Sequence, residues 1–273
     1  MKTSHLSTVA LVVAALGLAA CSDSSTGVNA TALADSTITA DVATSSGDAI
    51  ATSIENMTAN EASASLDVST FASFNLVPSN SPDRALTFDR TRTCYDANGA
   101  VVAGCSPLSS VRKIVTHTAL SGSRSGSNTT TGGATVTWSG AVHRVSDDTI
   151  TRNFNASNVE VSRTHSGIGS GTDTTSFSTT DASRNMSEAF QDSVNAVTWN
   201  VPRSSNPFPI SGSIVRRDTV HVVLTKSGST TTRDAVRRVE VDFPADAQGN
   251  VTIKVNDKTC SLNLVSHKVS GCQ

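Results

Sequence analysis

The sequence predicts a mainly β protein, in which a large antiparallel sheet forms a sandwich or a partly open barrel after one N-terminal amphipathic α-helix. Three observations support this prediction. From Asp83 onward apolar and polar residues alternate with a period of two, turn residues separate the alternating runs, and Ser plus Thr make up roughly 29% of the 273 residues. Charged residues are only 16% and aromatic residues 4%, which is typical of an exported β protein rather than of a cytosolic helical enzyme.

The helix is predicted at residues 37–62, where apolar side chains recur at spacings of three, four and eight residues and so share one side of a helix. They are Ile38, Val42, Ile50, Ile54 and Met57. We expect this stripe to pack on the sheet, because the polar side lacks the Lys and Arg of a helix that lies on a membrane. Gly47 is unfavourable inside a helix, and Ser45 with Asp48 resembles a helix N-cap. One helix over about 36–58 and a second helix starting near Ser46 are both compatible with this pattern.

A series of alternating runs supplies the candidate strands. They are 84–95, 100–103, 111–120, 134–140, 141–146, 149–154, 158–165, 174–179, 196–201, 210–217, 219–226, 235–243, 251–255 and 259–265. Short connections predict antiparallel neighbours, since a parallel crossover needs about a dozen residues or more. One helical interruption is predicted at 181–194, where Met186, Phe190 and Val194 are four residues apart.

The run at 235–243 predicts which side of the sheet faces solvent. Val239, Val241 and Phe243 share one side, and the charged residues between them share the other. Arg237 breaks this phase after Val236, which predicts a β-bulge. Segments 139–150 and 211–220 also resemble each other, since both begin with Ser-Gly, reach an Arg and continue to Asp-Thr. A pair of equivalent hairpins in a duplicated sheet and the ordinary composition of a Thr-rich β protein both explain that likeness.

Four cysteines predict two disulfides. Of the three possible pairings, Cys94–Cys105 with Cys260–Cys272 is favoured, because each pair brackets a short segment and Asn98-Gly99 is a strong turn signal inside the first. The alternative is a zinc site with four thiolates. No Cys-x-x-Cys spacing is present to support it.

The first 21 residues have the layout of an export signal. Lys2 precedes an apolar run from Leu6 to Leu18, which is too short to span a membrane, and Ala19-Ala20-Cys21 follows. Together with Leu18 this segment resembles the lipobox of bacterial lipoproteins. The resemblance implies cleavage before Cys21 and acylation of Cys21, which would then anchor the mature N-terminus in a membrane.

The resemblance also carries an expectation about location. In enterobacteria an Asp directly after the acylated Cys retains a lipoprotein in the inner membrane, and Ser22 occupies that place here. We therefore expect the outer membrane of the cell envelope, with orientation toward the periplasm or the exterior left open. The predicted organisation is a signal peptide at 1–20, a flexible tether at 21–36, the helical segment at 37–62 and the β domain at 63–273.

The ligand chemistry in the sequence is sparse. Loss of Lys2 with the signal leaves 20 basic against 23 acidic residues, so a nucleic-acid partner is not expected. The sequence contains no Gly-x-Ser-x-Gly, His-Glu-x-x-His, phosphate-binding or calcium-loop motif, and the Gly-rich segment 167–171 is interpreted as a flexible loop. We nominate no catalytic residue, metal ligand or cofactor.

Histidines and tryptophans are interpreted structurally. Three of the four strand histidines could bind zinc if their strands were neighbours and faced the same way, although partly exposed surface histidines are the simpler interpretation. They are His117, His143, His165 and His221. Trp138 and Trp199 alternate with valines, which favours core packing over sugar binding.

These features predict a lipid-anchored envelope protein that acts as a non-enzymatic structural or interaction module. Its partner is the membrane, through the lipid anchor, and a further protein or apolar ligand of unknown identity. One alternative is a carrier that encloses an apolar ligand in a curved sheet, with the helix as a lid. A second alternative is a hydrolase with an unrecognised site.

Overall fold

The structure, a computed structural model, describes residues 33–62, 85–129, 135–203 and 206–272. They form one α-helix, α1 (Asp35–Ala62), two short 3₁₀ helices (Ala103–Cys105 and Leu108–Ser110) and one sheet. Its strands are β1 (Ala85–Tyr95), β2 (Lys113–Thr129), β3 (Thr135–Phe154), β4 (Glu160–Ser178), β5 (Ala182–Asn200), β6 (Ser211–Lys226), β7 (Ser229–Asp242), β8 (Asn250–Val255), β9 (Lys258–Asn263) and β10 (Lys268–Ser270). The prediction of a mainly β protein with a large antiparallel sheet and one N-terminal helix is confirmed.

The sheet is a meander, in which each strand pairs with the next one along the chain. All of these pairings are antiparallel. The turn between β6 and β7 shows how tight the connections are, because Ser227 and Gly228 both have positive φ angles, of 50° and 79°, as the central residues of a type I′ hairpin turn do. In the described part of the chain no ladder joins β1 to β10, so the sheet is open.

The helical interruption predicted at 181–194 is wrong, because this segment is strand β5. Met186, Phe190 and Val194 do share one side, but a spacing of four fits the period of two of a strand as well as it fits a helix turn. All three side chains are buried, with exposed residues between them. The burial alternates along β5 with the period of a strand.

Several predicted strands are parts of longer ones. The runs 134–140, 141–146 and 149–154 fall within β3, apart from Ala134, which lies outside the described residues, and 210–217 and 219–226 join in β6, with Ile210 just before it. The Gly-rich segment 167–171 is the middle of β4 rather than a flexible loop. Segments 139–150 and 211–220 each lie almost entirely within one strand, so the interpretation as two equivalent hairpins is wrong. The run 100–103 is reduced to a single bridge between Tyr95 and Val101.

The predicted bulge at Arg237 is absent, because β6 and β7 keep one continuous register through Arg237 and its neighbours. Val239 and Val241 are buried as predicted. It is Val236 that faces solvent, whereas Arg237 is buried among the inward side chains. Arg237 is accommodated because its guanidinium donates hydrogen bonds to Asp35 Oδ1 and Thr39 Oγ1 of α1, at 2.7 and 3.1 Å.

Helix α1 is one continuous helix that packs on one face of the sheet. We call this face the inner face. It carries Phe190, Ile214, Val239 and Ile253. The apolar residues of α1 join the buried side chains of β5–β9 in the large core cluster. From α1 these are Ile38, Val42, Ala43, Ile50, Ala51, Ile54 and Met57. Gly47 is tolerated in mid-helix because a Cβ there would overlap Val269 Cγ2 and press on Leu262. The helix therefore approaches β9 and β10 closely at this point.

A second, small apolar cluster lies at the other end of the sheet, between β1, β2 and β3. It contains Cys94, Val111, Ile114 and Ile150. The predicted disulfides are both present in the local pairing, Cys94–Cys105 at this end and Cys260–Cys272 at the other. In the described segments no helix has the length and apolar character needed to cross a membrane.

Candidate functional site

The predicted lipidation site, Cys21, lies outside the described residues, as do the signal peptide and most of the tether. Their assignment therefore rests on the sequence alone. The four remaining cysteines form the disulfides described above and hold no metal. The residues available for chemistry are those that the sheet and α1 bring together.

The strand histidines do not converge on a zinc site. His165 lies on the inner face, where it is buried and contacts Trp199 edge to face at 5.0 Å between ring centroids. His117, His143 and His221 alternate onto the outer face, and His117 and His221 are bonded to Asp147 and Asp234. No group of three or more potential ligands in the described residues is arranged to hold a metal ion.

Both tryptophans are buried, as the sequence predicts. Trp199 belongs to the large core cluster. Trp138 covers Gly126 of β2, where a Cβ would meet the indole ring at 2.5 Å. Neither ring is presented to solvent as a sugar-binding platform.

A group of ionisable side chains on the inner face is the main feature that the sequence did not reveal. We call it the buried charge cluster and define it as Arg144, Asp173, Glu188, Asp192, Arg216 and Asp218. Arg216, on β6, lies at its centre with a side chain only 1% exposed. Its Nε donates to Asp218 Oδ1 at 2.6 Å, and its Nη2 donates to Glu188 Oε1 at 2.8 Å.

Helix α1 completes the coordination of these two carboxylates. Ser45 Oγ donates to Glu188 Oε2, and Ser46 Oγ donates to Asp218 Oδ2, each at 3.0 Å. The other oxygen of each carboxylate accepts from Arg216. Because both carboxylates are fully buried, these bonds replace the water that folding removes. The pair of serines therefore fixes where α1 sits on the sheet.

The remaining members of the cluster lie on β3, β4 and the middle of β5. Arg144 binds Asp173 with two donors, Nη2 at 2.5 Å and Nε at 3.3 Å. Asp192 Oδ2 lies 3.6 Å from Arg216 Nη1, and its Oδ1 has no hydrogen-bond partner. Phe190 lies beneath the Arg216 guanidinium, whose central carbon is 3.6 Å from the ring centroid, a favourable stacking geometry.

The cluster contains four carboxylates and two guanidiniums, and this excess of acid acts on the pKa values. Burial raises the pKa of Glu188, and the nearby Arg216 only partly opposes it. The pKa of Asp192 is raised by the same cause, against Arg216 and Arg144. Burial alone would lower the pKa of Arg216, but the surrounding carboxylates outweigh burial and raise it. Arg216 therefore remains charged.

The glycines of segment 167–171 explain how these side chains fit on the sheet. Gly167, Gly169 and Gly171 all lie on the inner face of β4, where side chains from the neighbouring strands cover them. A Cβ at Gly169 would lie 3.5 Å from Asp192 Oδ2, and one at Gly171 would lie 2.6 Å from Phe190 Cζ. The glycines thus provide room for the cluster.

A second contact between α1 and the sheet involves His267, in the turn between β9 and β10. Its Nδ1 is 2.8 Å from Asp48 Oδ1, and its Nε2 is 3.0 Å from Glu55 Oε1. Both carboxylates belong to α1, where they lie about two turns apart on the same face of the helix. The hydrogen bond to Asp48 raises the pKa of His267, burial opposes this, and Glu55 adds to the increase.

The inner face of β1–β3 carries polar side chains where β5–β9 carry the core. Arg90 and Arg92, which we call the arginine pair, face inward from β1, and Thr116 and Thr118 lie opposite them on β2. Arg90 Nε and Nη2 are shielded from solvent and have no hydrogen-bond partner among the residues that the structure describes. Thr116 Oγ1, on a fully buried residue, is also unpartnered.

The buried charge cluster and the arginine pair differ in their ability to bind a ligand. The centre of the buried charge cluster is closed to solvent and its hydrogen bonds are saturated, so it holds α1 in place rather than receiving a substrate. Within the arginine pair, Arg90 has two donors without a partner among the described residues. Comparison with protein-family models, with curated proteins and with solved structures finds no match to this chain.

Sequence reasoning missed the buried charge cluster, although one signal pointed to it. The similar segments 139–150 and 211–220 place Arg144 and Arg216 at equivalent positions. Both arginines face inward and meet at Asp173, which lies 2.5 Å from Arg144 and 4.0 Å from Arg216. The two similar segments therefore each place a positively charged arginine on the inner face of the sheet.

Proposed function

We propose that this chain is a lipid-anchored protein of the bacterial envelope, acylated at Cys21, whose sheet serves as a non-enzymatic structural or interaction module. The observation that carries the proposal is the Leu18-Ala19-Ala20-Cys21 lipobox behind a short apolar run. The two disulfides support it, because disulfides persist in oxidising compartments outside the cytosol. With Ser22 after the acylated Cys, the outer membrane is the proposed destination.

Metabolic labelling with an alkynyl palmitate analogue tests the anchor. We expect the wild type to be labelled and to partition with membranes, and Cys21→Ser to lose both properties. Ser22→Ala is the matched control, because it changes the adjacent residue and leaves the lipobox intact. An unlabelled wild type, or a Cys21→Ser variant that is still labelled, would refute acylation at this position.

The carrier alternative is less well supported. The inner face of β5–β9 is filled by α1, and the inner face of β1–β3 carries Arg90, Thr116 and Ser146, which suits a polar group better than an acyl chain. Native mass spectrometry of the purified protein separates the two readings. A bound lipid beyond the covalent acyl groups would favour the carrier.

The hydrolase alternative has a separate test. Ester, phosphate and glycoside substrates at high protein concentration should show no turnover if the module is non-enzymatic. Turnover that persists after repurification and is lost on unfolding would overturn the non-enzymatic assignment. It would leave the proposed acylation of Cys21 unaffected.

A further inference from the structure

The arginine pair occupies one corner of the sheet in a fixed arrangement. Arg90 and Arg92 are two residues apart on β1, so their side chains share the inner face about 7 Å apart. The register places Thr118 directly opposite Arg90 and Thr116 directly opposite Arg92. Two guanidiniums and two hydroxyls therefore face the same side at adjacent positions.

Arg90 has a complete binding fork that the described residues leave unused. Its Nε and Nη2 lie on one edge of the guanidinium, and neither donates a hydrogen bond. These are the two donors with which an arginine binds the two oxygens of a carboxylate, phosphate or sulfate. The residue as a whole is partly exposed, whereas these two nitrogens are themselves shielded from solvent.

Thr116 is a second and independent observation at the same place. The residue is fully buried and its hydroxyl has no hydrogen-bond partner. Buried hydroxyls are almost always bonded. It faces inward from β2 beside Arg92, so a ligand oxygen held by the arginine pair would also give this hydroxyl a partner.

The electrostatics of this corner favour an anion. Burial, and then the charge of Arg92, lower the pKa of Arg90 to about 10. The carboxylate that acts in the opposite direction is Asp148, on β3. Asp148 accepts a hydrogen bond from Ser146 Oγ at 3.1 Å, and burial raises its own pKa. The positive charge of Arg92 thus acts on Arg90 more strongly than the carboxyl group of Asp148 does, and a bound anion would relieve the repulsion between the two guanidiniums.

We propose that the arginine pair, with the Thr116 hydroxyl, binds a tetrahedral oxyanion, either free phosphate or sulfate or the phosphate group of a small monoester. The Nε–Nη2 fork of Arg90 holds two oxygens of the anion. Arg92 supplies the second positive charge, and Thr116 donates to a further oxygen. This site gives the module a ligand class that the proposed function does not specify, and it does not depend on the lipid anchor.

Calorimetric titration of the full chain in a non-ionic detergent with inorganic phosphate, with chloride holding the ionic strength constant, tests the site. We expect saturable binding of one phosphate per chain. Arg90→Gln should weaken it about tenfold or more, because a bidentate charged contact is lost, and Thr116→Val about threefold. Glycerol phosphate in place of inorganic phosphate distinguishes the sources, since tighter binding identifies a monoester as the ligand.

The matched control is Arg217→Gln, which removes the same charge from the exposed outer face of β6. It should change phosphate affinity less than about twofold. Absence of saturable binding to the wild type, or an equal loss in Arg217→Gln and Arg90→Gln, would overturn the proposal. If Arg90→Gln fails to fold by circular dichroism, the nearly isosteric Thr116→Val decides, and unchanged affinity there overturns it. Failure of palmitate labelling at Cys21 would leave this titration unaffected.

Discussion

The two ends of the sheet obey the same rules of strand pairing but bury different chemistry. The inner face of β5–β9 is lined with valines, isoleucines and leucines that pack on α1. The inner face of β1–β4 instead carries arginines, threonines, serines and a row of glycines, and its buried apolar side chains are fewer: a small cluster at one end, with Leu120, Trp138 and Val142 beyond it. The helix is the cause of this difference, because it contacts β6, β7, β8 and β10.

The difference separates where the fold is stabilised from where a ligand can bind. Apolar burial against α1 stabilises one end. The other end retains polar groups without partners, which lower stability unless a ligand satisfies them, as is common at functional sites. The buried charge cluster lies between the two ends, since Arg144 and Asp173 come from β3 and β4 while Arg216 and Glu188 come from β6 and β5.

The largest expected effect is the loss of Arg216. Arg216→Met keeps the volume but leaves Glu188 and Asp218 buried without their counter-ion, which should lower the free energy of unfolding by about 3–5 kcal/mol. Urea denaturation at pH 7 measures it. The loss should shrink as the pH falls, because the uncompensated carboxyls then bind protons in the folded state.

Arg217→Met is the control for this change. Arg217 is the next residue of β6 and faces solvent, so its replacement should cost less than about 0.5 kcal/mol. A loss below about 1 kcal/mol for Arg216→Met would contradict the role assigned to the cluster and would mean that its carboxyls are already neutral or hydrated in the native protein.

A matched pair of isoleucines compares the two ends directly. Ile253 of β8 is 0% exposed in the large cluster, and Ile150 of β3 is 1% exposed in the small one. The transfer free energy of the deleted atoms is the same for Ile→Ala at both positions, so the difference reports how far the surroundings can close the cavity. We expect about 4 kcal/mol at Ile253 and about 2 kcal/mol at Ile150, within the usual range for such truncations.

Both isoleucine variants are measured by urea denaturation, with the slope of the transition as a check that the mechanism of unfolding is unchanged. Equal losses would show that β1–β3 are packed as rigidly as the end that contacts α1. A larger loss at Ile150 would reverse the comparison. Either result would remove the basis for assigning stability to one end of the sheet and binding to the other.

The fold was predictable where a residue's own strand determines its environment. The alternation around Val239 and Val241 predicted the buried face of β7 correctly, and the local cysteine spacing predicted both disulfides. β5 was mistaken for a helix because apolar residues four apart satisfy both periods. The predicted fold class was still correct, because the segments on either side of β5 were predicted as antiparallel strands.

The buried charges were not predictable, because their partners lie on other elements. Asp218 falls between the predicted strands 210–217 and 219–226, yet it lies inside β6, where Arg216 of β6 and Ser46 of α1 bind it. The bulge predicted at Arg237 fails for the same reason, because Asp35 and Thr39 of α1 bind this inward side chain. Alternation of hydrophobic residues identifies inward positions only where those positions are apolar.

The smallest expected effect concerns the contact that joins α1 to the turn after β9. His267 is held by Asp48 and Glu55, and its pKa in the folded state is raised above the ordinary value of 6.5. A raised pKa means that the folded state binds the proton more tightly than the unfolded chain does. The resulting stabilisation is fully present below pH 6.5 and is lost as the pH rises through the folded-state value.

His267→Gln should therefore cost about 1 kcal/mol in acid solution, the typical net value of a buried hydrogen bond, and less as the pH rises above 6.5. Free energies of unfolding for wild type and variant, measured across this range, give the difference curve. His221→Gln is the matched control, because His221 bonds to an exposed carboxylate on the outer face, where solvent screens the interaction. A His267 difference that is independent of pH, or that grows as the pH rises, would show that the imidazole is neutral in the folded protein. The contact between α1 and the last strands would then be an ordinary hydrogen bond, and the pH dependence of stability would have to come from other groups with shifted pKa values, such as Glu188 and Asp192 of the buried charge cluster.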